Sequence, residues 1–367
     1  MKRFSTKAAL LLFASVALAA DGSPSWQPAL PGWRYEFPRD HHAHPGFKTE
    51  WWYLTGNLES DDGRRFGFQL TFFRQGVRRG AAGSRFAVED IKLAHFAVTD
   101  IENGRFHHAQ KVSRGAFGEA GFSDGDRLAW IDEWELVTLG EGRFRIAARE
   151  KEFALALDLA AGKPPVFHGE DGVSQKSAGE GRASHYYSFT RLEARGTLEL
   201  QGRAMAVRGL AWFDQEWATN QLAADQSGWD WFSLQFEDGG ELMLFQIRSK
   251  GGGCDPFSHG TWIDAEGCAT PVQAGDFELK PGRLWQSAET GGAYPVEWQV
   301  RIPKLGLDVA VAAAVDAQEL VLRPISYWEG SVVARGTREG TATAARGYLE
   351  MTGYAGGLVG LQAPGQR

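Results

Sequence analysis

Hydrophobic and polar positions alternate with period two along most of this chain. Thr49 to Leu58 (TEWWYLTGNL) reads as a strand, Ser60-Asp61-Asp62-Gly63 as a turn, and Phe66 to Phe72 as an answering strand with Phe66, Phe68, Leu70 and Phe72 on one face. An acidic-Gly turn between two such runs predicts a β-hairpin. The same order returns at Trp229 to Phe236, Glu237-Asp238-Gly239-Gly240 and Leu242 to Ile247, a loose internal repeat that fits two barrel-like units in tandem. Between them lie Lys92 to Thr99, Phe106 to Val112, Leu128 to Ile131, Trp134 to Leu139, Phe144 to Arg149 and Phe153 to Leu159. These short apolar runs recur at spacings near ten residues, the rhythm of a sandwich or barrel. His185 to Arg191, Gly196 to Leu200, Val207 to Phe213, Tyr327 to Ala334 and Ala345 to Tyr354 also read as strands. The expected fold class is all-β: two tandem antiparallel β-barrel domains. The segments are 1–20, 21–47 (a Pro-rich lead-in), 48–218 and 219–361.

Two stretches interrupt the pattern with candidate chemistry. Ala211-Trp212-Phe213-Asp214-Gln215-Glu216-Trp217 sets two carboxylates among three aromatics, and Ser184-His185-Tyr186-Tyr187 flanks a histidine with phenols. Aromatic surroundings desolvate a carboxyl and raise its pKa, which suits proton transfer near neutrality. The plainer reading of Asp214 is a structural turn residue. On the first strand Glu50, Trp52 and Leu54 share one side, so Glu50 either enters an aromatic interior or sits on a rim. Ala160 to Arg182 is long and rich in Gly, Pro and Ser; it covers a pocket or merely connects strands. His41, His42 and His44 are close enough to consider a metal, but no carboxylate or Cys stands beside them at ligand spacing, and a polar loop is the simpler reading. His95, among apolar residues, reads as a core histidine. The chain lacks G-x-S-x-G, H-E-x-x-H, P-loop and G-x-G-x-x-G signatures.

Composition agrees with this picture: 46 Gly, 14 Trp and 23 Phe favour short strands and tight turns over helices. Residues 1–20 carry Lys2, Arg3 and Lys7, then an apolar run and the small-x-small triplet Ala17-Leu18-Ala19, the marks of a Sec-type signal peptide. The mature protein is therefore expected in the periplasm or outside the cell. No other stretch is long and apolar enough to span a bilayer. The net charge is −7; losing the three basic residues of 1–20 makes it −10, which argues against nucleic acid as a partner. Cys254 and Cys268 bracket a turn-rich segment, and in an oxidising compartment their spacing predicts a disulfide.

The residues Thr49 to Gly56, Trp212 to Trp217, Tyr327-Trp328-Glu329-Gly330 and Gly347 to Tyr354 resemble the AttH/carotenoid 1,2-hydratase family of lipocalin-like proteins, across nearly all the mature chain. The resemblance implies two lipocalin-like barrels. In the hydratase branch a His-x-Trp pair is followed, 29 residues after the His, by an Asp preceded by Tyr-x. His185 and Asp214 match that spacing, while Tyr187 and Trp212 exchange the two aromatic identities. The resemblance then implies Asp214 as proton donor to an alkene, Tyr187 and Trp212 as carbocation-facing rings, and a water held by His185, with no metal or organic cofactor. Glu50, Trp51, Trp52, Tyr186, Glu216 and Trp217 complete the expected ligand site. The AttH branch implies a second reading, a carrier of a hydrophobic small molecule or lipid with ABC-type export components as partners.

Overall fold

The computed structural model describes residues 25–80, 87–220, 222–323 and 325–356. The expected signal segment 1–20 and the end of the 219–361 segment lie outside the described residues. The chain is almost all-β, folded as a nearly closed barrel sheet and a half-barrel sheet. The first sheet's strands all fall between Thr49 and Ala218, and the second's between Gln226 and Met351.

Four antiparallel strands form the middle of the first sheet, in the spatial order Arg65–Gly76, Thr49–Ser60, Arg203–Ala218, Ala183–Leu200. Asp90–Asp100 and Arg105–Ser113 extend it on one side. Phe153–Ala161, Arg143–Arg149, Trp134–Thr138, Arg127–Ile131 and Ala120–Asp124 extend it on the other. Each short apolar run expected between the two hairpins coincides with one of these strands, Trp134 to Leu139 overrunning its strand by one residue. The alternating phenylalanines of the first hairpin enter the barrel core, joined there by Trp52, Trp134, Tyr187 and Trp217. Its turn uses Gly63 at φ 82° and the repeated hairpin uses Gly239 at φ 90°, left-handed conformations that glycine adopts without a Cβ clash.

The second sheet is centred on Gln226–Phe236, which pairs with Glu241–Ser249 on one side and Thr341–Met351 on the other; Tyr327–Arg338 follows. Its outer strands escape the sequence pattern. Ala269–Gln273, for example, is exposed at four of five positions and contains Pro271, so it carries no alternation.

The two sheets are packed on one another, with Tyr53, Tyr186 and Trp212 of the first against Trp231, Phe245 and Tyr348 of the second. Both faces of the central strands are thus buried, which is why their sequences are nearly continuous aromatic runs. The backbones approach closely. A Cβ at Gly67 would lie 2.8 Å from Ser331 Cβ. The Ala160 to Arg182 segment is not a simple loop. Val166–Phe167 and Val173–Gln175 pair with Ala183–Leu200, and the segment ties the sheets together: Lys163 Nζ reaches Glu241 at 2.7 Å, His168 meets Thr261, and Ser174 meets His259.

The cysteines correct a sequence expectation. Cys254 and Cys268 are free thiols, both exposed. Cys254 bridges to Arg248, while Cys268 precedes Ala269, which is aligned through Ile263 with Glu241. The run from Glu241 to Arg248 is roughly 24 Å of strand, and a disulfide requires Cα atoms within about 7 Å. A short spacing in sequence was here stretched by the intervening strand His259–Ile263.

Candidate functional site

The pleat divides the expected site between two faces of one sheet. In Arg203–Ala218, Trp212, Asp214 and Glu216 turn toward the half-barrel, while Phe213, Gln215 and Trp217 turn into the barrel. In the neighbouring strand Tyr186 and Ser188 turn outward, and His185, Tyr187 and Phe189 turn inward. Trp51 and Tyr53 face the half-barrel; Trp52 faces the core. The register explains the split: His185 is opposite Trp217, and Asp214 is opposite Ser188. The structure therefore brings together Asp214, Trp212, Tyr186, Glu216 and Trp51. It does not bring His185 or Tyr187 to Asp214, because spacings of 29 and 27 place them on the adjacent strand with opposite facing.

A cavity of about 650 Å³ lies between the sheets. Trp51, Tyr53, Trp229, Trp231, Phe245 and Tyr327 give it aromatic walls, and Asp214, Glu216, Lys176 and Glu350 supply polar groups. Asp214 is buried. Its Oδ1 accepts Trp212 Nε1 at 2.8 Å, the Tyr186 hydroxyl at 3.1 Å, and the Ser188 hydroxyl. Burial pushes the carboxyl up to about 7, the charge of Glu216 adds to the rise, and the three donors only partly oppose it. The donors are themselves held. Trp231 Nε1 donates to the Tyr186 hydroxyl at 3.1 Å, and His168 Nε2 is 2.7 Å from Ser188 Oγ. Lys176 Nζ stands 3.1 Å from Glu216 and 4.2 Å from the centre of the Phe245 ring.

The barrel interior is occupied by the lead-in. His41 Nδ1 is 2.7 Å from the Tyr187 hydroxyl, which donates to Gln215 Oε1 at 2.6 Å. Glu50 borders the cavity, but its carboxylate is committed inward, to His44 Nδ1 at 2.6 Å, Gln215 Nε2 at 3.1 Å and Arg74 Nε at 3.3 Å. Burial alone would raise the Glu50 carboxyl; His44 and Arg74 hold it below its ordinary value. His44 stacks on Trp217 with centroids 3.7 Å apart, and His185 is enclosed by Trp33 and Trp217. Among the described residues no group of three His, Cys, Asp or Glu side chains is placed to hold a metal. The cavity that Asp214 borders lies between the two sheets.

Ser188, His168, Trp231, Tyr53, Lys176 and Glu350 belong to this site and were not selected from the sequence. Ser188 was within reach, two residues beyond Tyr186 on the same face. The others reach Asp214 or the cavity from distant strands or from the segment between Ala160 and Arg182, and no local spacing encodes that.

The same architecture occurs in known proteins. Residues 28–354 match the family model described as AttH-like. The chain belongs to the AttH-like family. An AttH crystal structure from Nitrosomonas europaea is 36% identical, covering 89% of this chain and 99% of that one, with a TM-score of 0.81. Kievitone hydratase from Nectria haematococca superposes with a TM-score of 0.70 at 16% identity, over 90% of this chain and 96% of its own. Among curated sequences, the dehydratase asqC of Emericella nidulans is 20% identical over 273 residues, 70% of this chain and 75% of that protein. The AttH-like chain therefore has a hydratase-like fold.

Proposed function

We propose that this AttH-like protein catalyses acid-assisted addition of water to a carbon–carbon double bond, or its reverse, on an apolar isoprenoid-like molecule held between the sheets. The observation that carries the reading is Asp214: a buried carboxyl that burial holds up to about 7, facing an aromatic cavity. A carboxyl with that value is half protonated at neutral pH and can both give and regain a proton. Asp214 donates its proton to one alkene carbon, forming a C–H bond and leaving a tertiary carbocation on the other. Trp51 and Trp231 line the cavity beside Asp214, and a ring face presented to such a cation contributes about 2 kcal/mol when desolvated. Water then forms the C–O bond and releases a proton. The hydratase and dehydratase relatives support this reaction class. In the same reading, residues 1–20 export the protein, which N-terminal mass determination of periplasmic material tests.

Native mass spectrometry of freshly purified protein identifies the class of molecule retained. Turnover is then assayed on acyclic isoprenoids with trisubstituted double bonds. Asp214→Asn keeps an acceptor for Trp212, Tyr186 and Ser188 but has no proton to give. The expected result is a loss of about 10²- to 10⁴-fold in kcat with ligand binding little changed. Full activity of this variant would falsify the assignment of the acid, and unchanged binding with no turnover by wild type on any isoprenoid would leave a carrier.

A further inference from the structure

The reaction assigned to Asp214 leaves one proton unaccounted for, the one lost by water as it attacks. We propose that Glu350 is the base that takes it, so that the two sheets each supply one carboxyl to a two-acid site. This rests on the reading of Asp214 as the donor.

Glu350 lies in Thr341–Met351, opposite Trp231 in the register of the half-barrel. Directly opposed residues of an antiparallel pair share a face, with Cβ atoms about 5 Å apart. Trp231 is the residue whose indole donates to Tyr186, and Tyr186 donates to Asp214. Glu350 therefore stands beside Trp231, the first member of the chain Trp231–Tyr186–Asp214, and lines the same cavity as Asp214 from the other sheet. One of its oxygens, Oε2, accepts Trp229 Nε1 at 3.1 Å. The other has no hydrogen-bond partner among the described residues, and the side chain is only half-buried because it borders the cavity.

The neighbouring carboxyls are placed differently. Glu329 is opposite Glu350 in the register, but it is fully buried, accepts the Tyr53 hydroxyl and does not line the cavity. Glu216 lines the cavity but is paired with Lys176 at 3.1 Å. Among the described residues, the other titratable or charged groups lining this cavity are Tyr53, Tyr186, Tyr327, His95, Lys176, Glu50, Arg74 and Arg323; Tyr327 meets His95 Nδ1 at 2.7 Å. Burial pushes the Glu350 carboxyl up to about 7, opposed by the Trp229 indole and reinforced by the charge of Glu216.

The step balances. Asp214 loses a proton to carbon, water forms the C–O bond, and the O–H bond that breaks delivers its proton to Glu350. Exchange with solvent then restores both groups. Activity requires protonated Asp214, which is lost as pH rises through about 7, and ionised Glu350, which is lost as pH falls through about 7. A narrow bell follows.

Two measurements decide the matter. In the first, protein labelled with ¹³C at the glutamate carboxyl carbon is titrated by NMR, with Glu350→Gln assigning the resonance. Glu350 is expected to titrate near 7 and to fall in Glu216→Gln; a midpoint near its ordinary 4.5 overturns the proposal whatever Asp214 does. In the second, farnesol is the probe for hydration in D₂O. Glu350→Gln is expected to lower kcat about 10²- to 10⁴-fold with KM within a few-fold and to remove the acid limb of the bell, while Glu350→Asp restores that limb. Wild-type kcat and an intact acid limb in Glu350→Gln, with Asp214→Asn inactive, overturn the role of Glu350 and leave that of Asp214 standing.

Discussion

Asp214 shows what a functional carboxyl costs a fold. Its folded value is raised from 3.8 to about 7, so the folded chain holds this proton more tightly than the unfolded chain does. Such a group contributes its full stabilisation below pH 4 and loses it as pH rises through 7. A tenfold change in proton affinity corresponds to about 1.4 kcal/mol, so this carboxyl contributes a few kcal/mol in all. The D214N variant, with no proton to lose, is expected to gain on wild type between pH 5 and pH 8. Urea midpoints at those two pH values measure the difference, and an equal gap at both would contradict the raised value. Residue types among aromatics marked Asp214 in the sequence. They could not tell its face from that of His185, which differs only in the pleat.

At the scale of elements, the long hairpin Ala183–Leu200 and Arg203–Ala218 separates two environments. Its inner face closes the barrel over Phe213 and Trp217, and its outer face supplies Tyr186, Asp214 and Glu216 to the cavity, with Ser188 and Trp212 bonded to Asp214. The strap from Lys163 to Lys176 holds the half-barrel against that outer face. Glu241 is fully buried and receives both Lys163 and Arg191, whose backbone partners Gly239 and Phe236 lie in the same turn region. Removing one partner from a buried ion cluster leaves uncompensated charge. Glu241→Ala is expected to cost about 3 kcal/mol in urea unfolding and to speed proteolysis within 160–182. A change under about 0.5 kcal/mol, the range of an ordinary surface substitution, would show that the strap does not hold the sheets together. The strap's composition reads as loop, and its pairing partners lie far away in sequence.

For the whole molecule, the cavity exists only because two sheets meet. Buried hydrogen bonds cross the junction at several points: Asn57 Nδ2 donates to Gly347 O at 3.1 Å, Thr99 Oγ1 to Gln318 Oε1 at 2.7 Å, and Gln235 Nε2 to Thr190 O at 2.8 Å. Exposing these groups and the aromatic cluster between the sheets by undocking is unfavourable. The two sheets are therefore expected to unfold together. Tryptophan fluorescence and far-UV circular dichroism should trace one coincident thermal transition. Two resolved transitions would mean that the sheets are independent.

The sequence by itself determined the all-β class and the central strands, the two matching hairpins with their acidic-Gly turns, the aromatic density and Asp214 as the acid to consider. All of these are local: period-two alternation, turn chemistry and residue type are written within ten or so positions. Tertiary structure alone decided the rest. It placed His185 and Tyr187 inside the barrel with the lead-in histidines, kept Cys254 and Cys268 apart, and put Glu350, Trp231 and Lys176 around the same cavity as Asp214. The physical reason is register. A one-residue step along a strand reverses the facing of a side chain, and which strands lie opposite one another across two packed sheets is set by the whole set of pairings.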